Sequence, residues 1–160
     1  MSAVPQRFVV VPAAYVYLLR PSASGGDEVL LQRRGPGVPY MAGHWAAAAA
    51  GHVERGETAY DGALREAREE LGLTAIDLEF LTTMHRTRGG EAIDERVDFF
   101  LTARSWTGEP AIQEPDKASE LGWFPLGDPA ALPVPMVPHE AEVLRLLAAG
   151  GVPAYTTFGF

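Results

Sequence analysis

Apolar and polar positions alternate along this chain in short blocks separated by Gly- and Pro-rich breaks. The Val- and aromatic-rich run from about Arg7 to Arg20 predicts a long strand, PSASGGDE predicts a turn, and EVLLQRR from Glu28 predicts a second strand that closes a hairpin. Gly35 to Gly43 is a Gly/Pro loop. His44 to Ala50 holds five consecutive alanines, helical by propensity, yet Gly51 and the hairpin context cut the segment short and predict a strand. Thr58 to Leu71 is the clearest helix, with Glu57 and Thr58 leading in and Gly72 where a left-handed C-terminal cap belongs. Leu78 to Arg86 and Arg96 to Arg104 predict two more strands around a Gly-Gly turn, followed by a loop from Thr107 to Ala118 and a short strand from Glu120 to Leu126. Pro-rich LPVPMVP leads into a last helix, about His139 to Ala149, with Val143, Leu144, Leu146 and Leu147 on its buried face. Strands in mixed order around a central helix predict an α/β class, and the aromatic tail GVPAYTTFGF packs back on the domain or on a partner.

At 160 residues the expected organisation is one domain over 1–160. No apolar run approaches the roughly 20 residues that cross a bilayer, and the N-terminus lacks a basic region followed by a small-residue cleavage site, so a cytoplasmic protein without a membrane partner is expected. The net charge of −8 argues against a nucleic-acid backbone as partner, since such binding needs clustered cations. With no cysteine in the sequence, any metal must be held by oxygen or imidazole.

The candidate chemistry lies in GHVERGETAYDGALREAREELGL, Gly51 to Leu73. At about 100° per residue, Glu69 and Glu70 fall roughly 60° before and 40° after Glu66, so three carboxylates share one arc. Ala63, Ala67, Tyr60, Leu71 and Leu64 form an adjacent apolar stripe, which predicts a docked helix carrying carboxylates on the rim of its contact. REAREE alone also fits a solvated helix with an Arg65–Glu69 pair worth a few tenths of a kcal/mol. The preceding GHVERGE adds a Gly-bounded loop that brings carbonyls and Glu57 to the same place, an oxygen-only set suited to Mg²⁺ or Mn²⁺.

The stretch resembles the signature of the Nudix hydrolase family: Gly51, Glu57, Arg65, Glu66, Ala67, Glu69, Glu70, Gly72 and Leu73 fill its fixed positions. The resemblance implies a Nudix-type α/β/α sandwich with a mixed β-sheet and a Mg²⁺-dependent enzyme that hydrolyses a nucleoside diphosphate linked to another group. It implies Glu66, Glu69 and Glu70 as metal ligands, a Gly51 carbonyl beside them, and Arg65 pairing with Glu57 to fix the loop on the helix. Glu70 is the expected catalytic carboxylate, with Glu114, in the loop before the Trp123 strand, as an outside ligand or base. Asp98 and Glu95 are weaker candidates.

Arg96-Val-Asp-Phe-Phe and GEPAIQEPDKASELGWFPL resemble the subgroup that cuts nucleoside triphosphates to monophosphate and pyrophosphate. Alternatives are hydrolysis of ADP-ribose or a nucleotide sugar, and a module that binds nucleotides without turnover. The isoprenoid isomerase branch relies on a cysteine, and this sequence has none. Arg33 and Arg34 are candidates for phosphate contact, Trp123 for stacking, and His139 and Glu140 for recognition of a base. His139, near a helix start, is expected at the surface. The alanines of HWAAAAAG predict a loose floor beside Gly51. A homodimer is the default for assembly.

Overall fold

The computed structural model describes residue 3 and residues 5–160; Met1, Ser2 and Val4, on which the N-terminal reading partly rests, lie outside the described residues. Among the described residues eight strands and two α-helices follow one another. They are β1 (Val11–Pro21), β2 (Asp27–Arg34), β3 (Trp45–Ala47), β4 (Ala49–His52), α1 (Ala59–Leu71), β5 (Ala75–Arg86), β6 (Arg96–Thr107), β7 (Ala118–Pro125), α2 (Pro138–Ala148) and β8 (Tyr155–Phe158). A mixed sheet runs β4-β1-β6-β5-β8, in which β1–β6 and β5–β8 are parallel. β2 carries β7 on one edge and, on the other, the end of β1 and then β3, all antiparallel.

β1 joins the layers because it is apolar on both faces. Ala13, Tyr15, Tyr17 and Leu19 pack with Val143 and Leu144 of α2, while Ala14, Val16 and Leu18 pack with Ala63, Ala67 and Leu71 of α1. The result is the expected mixed α/β sandwich, with a helix on each side of the central strands.

Local departures from the predicted elements have identifiable causes. β1 starts at Val11 and not near Arg7, because its parallel partner β6 begins at Arg96; Phe8 and Val9 stay exposed. The alanine segment is extended but breaks at Ala48, where the chain passes from pairing with β2 to pairing with β1. Ala47, Ala48 and Ala49 are fully buried, so the predicted loose floor is instead a closely packed seam in which Ala48 and Ala49 share a core with Ala63 and Ala67. The tail forms a strand, β8, parallel to the end of β5.

α1 is closed at both ends by its own sequence. Thr58 Oγ1 accepts from the Asp61 N–H at 3.1 Å while the Asp61 carboxylate accepts from the Thr58 N–H at 2.9 Å, and Gly72 takes a left-handed φ of 73°. Such a cap contributes about 1 kcal/mol. The docked face is displaced from the predicted one: Gly62, Ala63, Ala67 and Leu71 are buried, whereas Tyr60 and Leu64 are exposed. Small residues on both sides let α1 approach the strands closely, and Glu70, at about 40° between Glu66 and Ala63, falls within the arc of buried residues.

Candidate active site

Arg65 is the hub of the loop and helix. Its Nε and Nη2 donate to both oxygens of Glu57 at 3.1 and 2.7 Å, and Nη2 also donates to the His52 carbonyl at 3.0 Å. Nη1 donates to Glu66 Oε1 at 2.8 Å and to Glu69 Oε2 at 3.3 Å. One guanidinium thus ties the end of β4, the following loop and two helical carboxylates together, a forked geometry that lysine could not reproduce. The Arg65 hydrogen bonds, with help from the Glu54 N–H, hold the Glu57 carboxyl below its ordinary range.

Glu66 and Glu70 stand on the buried side of this hub. A Cβ at Gly51 would collide with the Glu66 carboxylate, so glycine is required for the side chain to lie against β4. Burial raises the Glu66 pKa despite Arg65. Glu70 Oε2 accepts from the Ala50 N–H at 2.8 Å; burial, opposed by that bond and reinforced by Glu66 and Glu114, pushes its pKa up to about 8. Glu69 is exposed. Glu114 reaches the same neighbourhood because the Gln113 N–H donates to the Glu70 carbonyl at 3.1 Å, docking the loop on the end of α1. Glu114 is paired with Lys117 at 2.7 Å.

Among the described residues, no three carboxylate or imidazole groups converge as a finished cation site. Arg65 holds Glu66 and Glu69, while Glu70 is turned to Ala50. The donors nevertheless fit a hard divalent ion. All are oxygens, and two are half-buried carboxylates, Glu66 and Glu70, whose ionisation is made costly by burial and, at Glu70, also by Glu66, a cost that a nearby cation removes.

A cavity of about 590 Å³ opens beside Gly51 and runs across the α2 face of the mixed sheet. That is enough for a nucleotide-sized ligand. Ala50, Gly51 and His52 line one end, and Arg34, Arg86, Arg88 and Arg96 line the rest together with Tyr40. Below them Asp98 is fully buried: its Oδ2 accepts from Arg86 Nε at 2.7 Å. It serves as a counter-ion under the arginines, away from the α1 carboxylates. Glu95, which accepts from Thr87 Oγ1 at 2.6 Å, is occupied elsewhere.

The remaining candidates separate cleanly. Arg34 lines the cavity, but Arg33 points the other way from the same strand, donating to the Gly43 carbonyl at 3.2 Å and lying 4.0 Å from Glu120. Trp123 stacks on Trp106 at 6.1 Å with Arg20 3.9 Å above its ring, on the α1 side, so it offers no platform in the cavity. His139 is buried, against expectation, because α2 presses its first turn onto β1; its Nε2 lies 3.3 Å from the Tyr15 hydroxyl and burial depresses its pKa. Glu140 is buried too, accepting from the Ala47 N–H at 2.8 Å, with its pKa pushed up to about 7 by burial. Both line the cavity. Arg86 and Arg88 lie outside any motif, and Arg96, although it opens the Arg96-Val-Asp-Phe-Phe segment, is not among the residues expected from the sequence to meet the ligand. The available signal was that Arg86 and Arg96 end two neighbouring strands, an arrangement that pairs them directly.

The family model of the NUDIX domain matches residues 10–147. Isopentenyl-diphosphate Delta-isomerase of Cereibacter sphaeroides is 35% identical over 106 residues, 64% of this chain and 59% of that protein. The chain thus spans about three fifths of the length of the isomerases it matches. Nudix hydrolase YvcI of Bacillus subtilis, described as uncharacterized, is 30% identical over 139 residues, 84% of this chain and 80% of that protein. Of solved structures, a MutT Nudix hydrolase from Burkholderia pseudomallei is 27% identical with a TM-score of 0.62, covering 82% of this chain and 96% of the other. The Nudix domain of Shewanella oneidensis NrtR, solved with ADP-ribose, is 19% identical with a TM-score of 0.67, covering 86% and 85%.

Proposed function

Because the chain belongs to the Nudix hydrolase family, we propose that it is a divalent-metal-dependent pyrophosphohydrolase cutting a phosphoanhydride in a nucleoside diphosphate-linked substrate. A nucleoside triphosphate, released as monophosphate and pyrophosphate, is the simplest member of that class. The observation that carries the reading is that Gly51, which lines the cavity, lies against the Glu66 carboxylate, so the Arg65-organised carboxylates, themselves outside the cavity lining, adjoin it there. In the solved relative bound to ADP-ribose, the same fold holds a diphosphate ligand. The isomerases also carry a diphosphate in their name, so a diphosphate group is the chemistry these relatives share.

Glu66, Glu69 and Glu70, with the Gly51 carbonyl, would hold Mg²⁺ or Mn²⁺. Bound there, the ion would neutralise diphosphate oxygens and lower the pKa of a water. Arg65 keeps Glu66 and Glu69 on one side of α1 and clamps Glu57, so the carboxylates are oriented before any ligand arrives. Glu70, whose pKa of about 8 favours its protonated form near neutrality in the free protein, would give up that proton to act as a ligand. Glu70 or Glu114 would accept the proton of the attacking water. The arginines of the cavity hold the anionic substrate against the overall negative charge of the chain.

Product release from nucleoside triphosphates, ADP-ribose and nucleotide sugars, with Mg²⁺ or with chelator, tests the reading. Nucleoside monophosphate appearing only with the metal supports it. No cleavage anywhere in the panel, with nucleotide still binding, would favour a binding module.

A further inference from the structure

Resting on that reading of the chain as a diphosphate-cleaving enzyme, we propose that the far end of the cavity is a second anion site. The substrate it fits carries a phosphomonoester at the end remote from the bond that is cut.

Position supports this first. Arg96 on β6 and Arg86 on β5 stand directly opposite one another, and Asp98 and Met84 form the next pair but one along the same face. Ala13 of β1 pairs with both Asp98 and His52, so the row runs from His52 on β4, next to Gly51, through β1 to β6 and β5. With strands about 4.8 Å apart, β6 and β5 lie roughly 10 and 14 Å from β4. That spacing is the span of a nucleoside or sugar attached to a diphosphate held beside Gly51.

Charge supports it second. Four arginines line one cavity of a chain whose net charge is −8 and which has 13 Lys and Arg residues in all. Their acidic neighbours do not match them. Asp98 is engaged with Arg86 through Oδ2, and Asp94 lies 3.5 Å from Arg88. Glu140 is turned to the Ala47 N–H. Among the described residues Arg34 and Arg96 have no carboxylate within hydrogen-bond distance: Arg34 Nε donates to the Tyr40 carbonyl at 2.8 Å and Arg96 Nη1 to the Ile93 carbonyl at 3.4 Å, while Arg96 Nε is buried without a partner, 3.8 Å from the equally unpartnered Asp98 Oδ1. A buried guanidinium donor left open is costly until an acceptor arrives. Arg34 and Arg88 also flank the Tyr40 ring, 5.9 and 5.2 Å from its centroid, which leaves that ring dressed for an anion and not for a stacked base. Asp98 accounts for Arg86 and, at the longer 3.8 Å, in part for Arg96; Arg88, half-exposed and 3.5 Å from Asp94, has no role toward Asp98.

The test uses substrates matched except for one phosphomonoester: NADPH against NADH, and coenzyme A against 3′-dephospho-coenzyme A, each with Mg²⁺. The phosphorylated member of at least one pair is cut with a kcat/KM about 10-fold or more higher. Arg88→Gln and Arg96→Gln bring that ratio close to one, whereas Arg33→Gln, outside the cavity, keeps it. Equal rates within both pairs, or a preference indifferent to Arg88 and Arg96, overturns the proposal. Calorimetric binding of adenosine 2′,5′-bisphosphate against AMP, in chelator, separates the site from turnover. If the bisphosphate binds about 10-fold tighter and Arg96→Gln removes the difference, the anion site stands even where nothing is hydrolysed. If substrates are cut but the paired ligands and substrates behave alike, hydrolysis stands and the anion site falls.

Discussion

Glu70 carries opposing demands. Its carboxylate lies between α1 and β4, accepting the Ala50 N–H, where ionisation without a cation is costly. Its folded pKa of about 8 exceeds the ordinary value of 4.5, so between those pH values the folded chain holds a proton that the unfolded chain has released. The stability this contributes is fully present below about pH 4.5 and is lost as pH rises through about 8. Glu140, raised to about 7, acts in the same direction. The metal-free protein should therefore melt at least about 5 °C lower at pH 8.5 than at pH 6, and Mg²⁺ should recover much of the difference at the higher pH by favouring the ionised form. Scanning calorimetry with and without chelator checks this; a melting temperature that rises with pH in chelator would mean that Glu70 is already ionised.

At the scale of the element, α1 and the turn before it act as one rigid part. Arg65 and the capping box fix its start, and the alanine seam sets its distance from the strands. Gly51→Ala should force Glu66 away from β4, with activity falling about 100-fold or more. The cost to stability should stay within about 1–3 kcal/mol, read from rates and denaturant midpoints side by side. Near-normal turnover in this variant would show that the Glu66 position does not matter.

The element was also where the sequence was most legible. Thr58, Gly72 and the carboxylate spacing announce the helix and its acidic edge, because caps and 3.6-residue periodicity are local. Tyr60 and Leu64 misled the choice of docked face, since apolar character alone cannot tell a close contact built on glycine and alanines from one built on large side chains. The break at Ala48 depends on which strands lie on either side, and nothing local in a run of alanines records it.

At the scale of the whole molecule, the two sheets and two helices place the acidic edge of α1 beside the mouth of an arginine-lined cavity. The overall class was readable from the block pattern and the Gly51–Leu73 motif. The cavity was not, because Arg34, Arg86, Arg88 and Arg96 come from separate segments that only the tertiary fold brings together, with strand register setting Arg86 opposite Arg96. The buried places of His139 and Glu140 likewise depend on α2 closing over β1, a long-range contact marked by the Tyr17 hydroxyl donating to the Glu140 carbonyl at 2.9 Å.

The molecule works as a hydrolase only if the carboxylate buried against β4 is essential to turnover and dispensable for folding. Glu70→Gln keeps an acceptor for the Ala50 N–H and removes the ionisable group, so it separates the two. The decisive measurement is the Mg²⁺-dependent turnover number of this variant beside the parent chain, on the best substrate of the panel, with melting curves recorded in parallel. The expected result is a loss of at least about 100-fold in kcat with a metal-free melting temperature at pH 8.5 equal to or above that of the parent. A variant that folds and turns over at nearly the parental rate would contradict the assignment of this site.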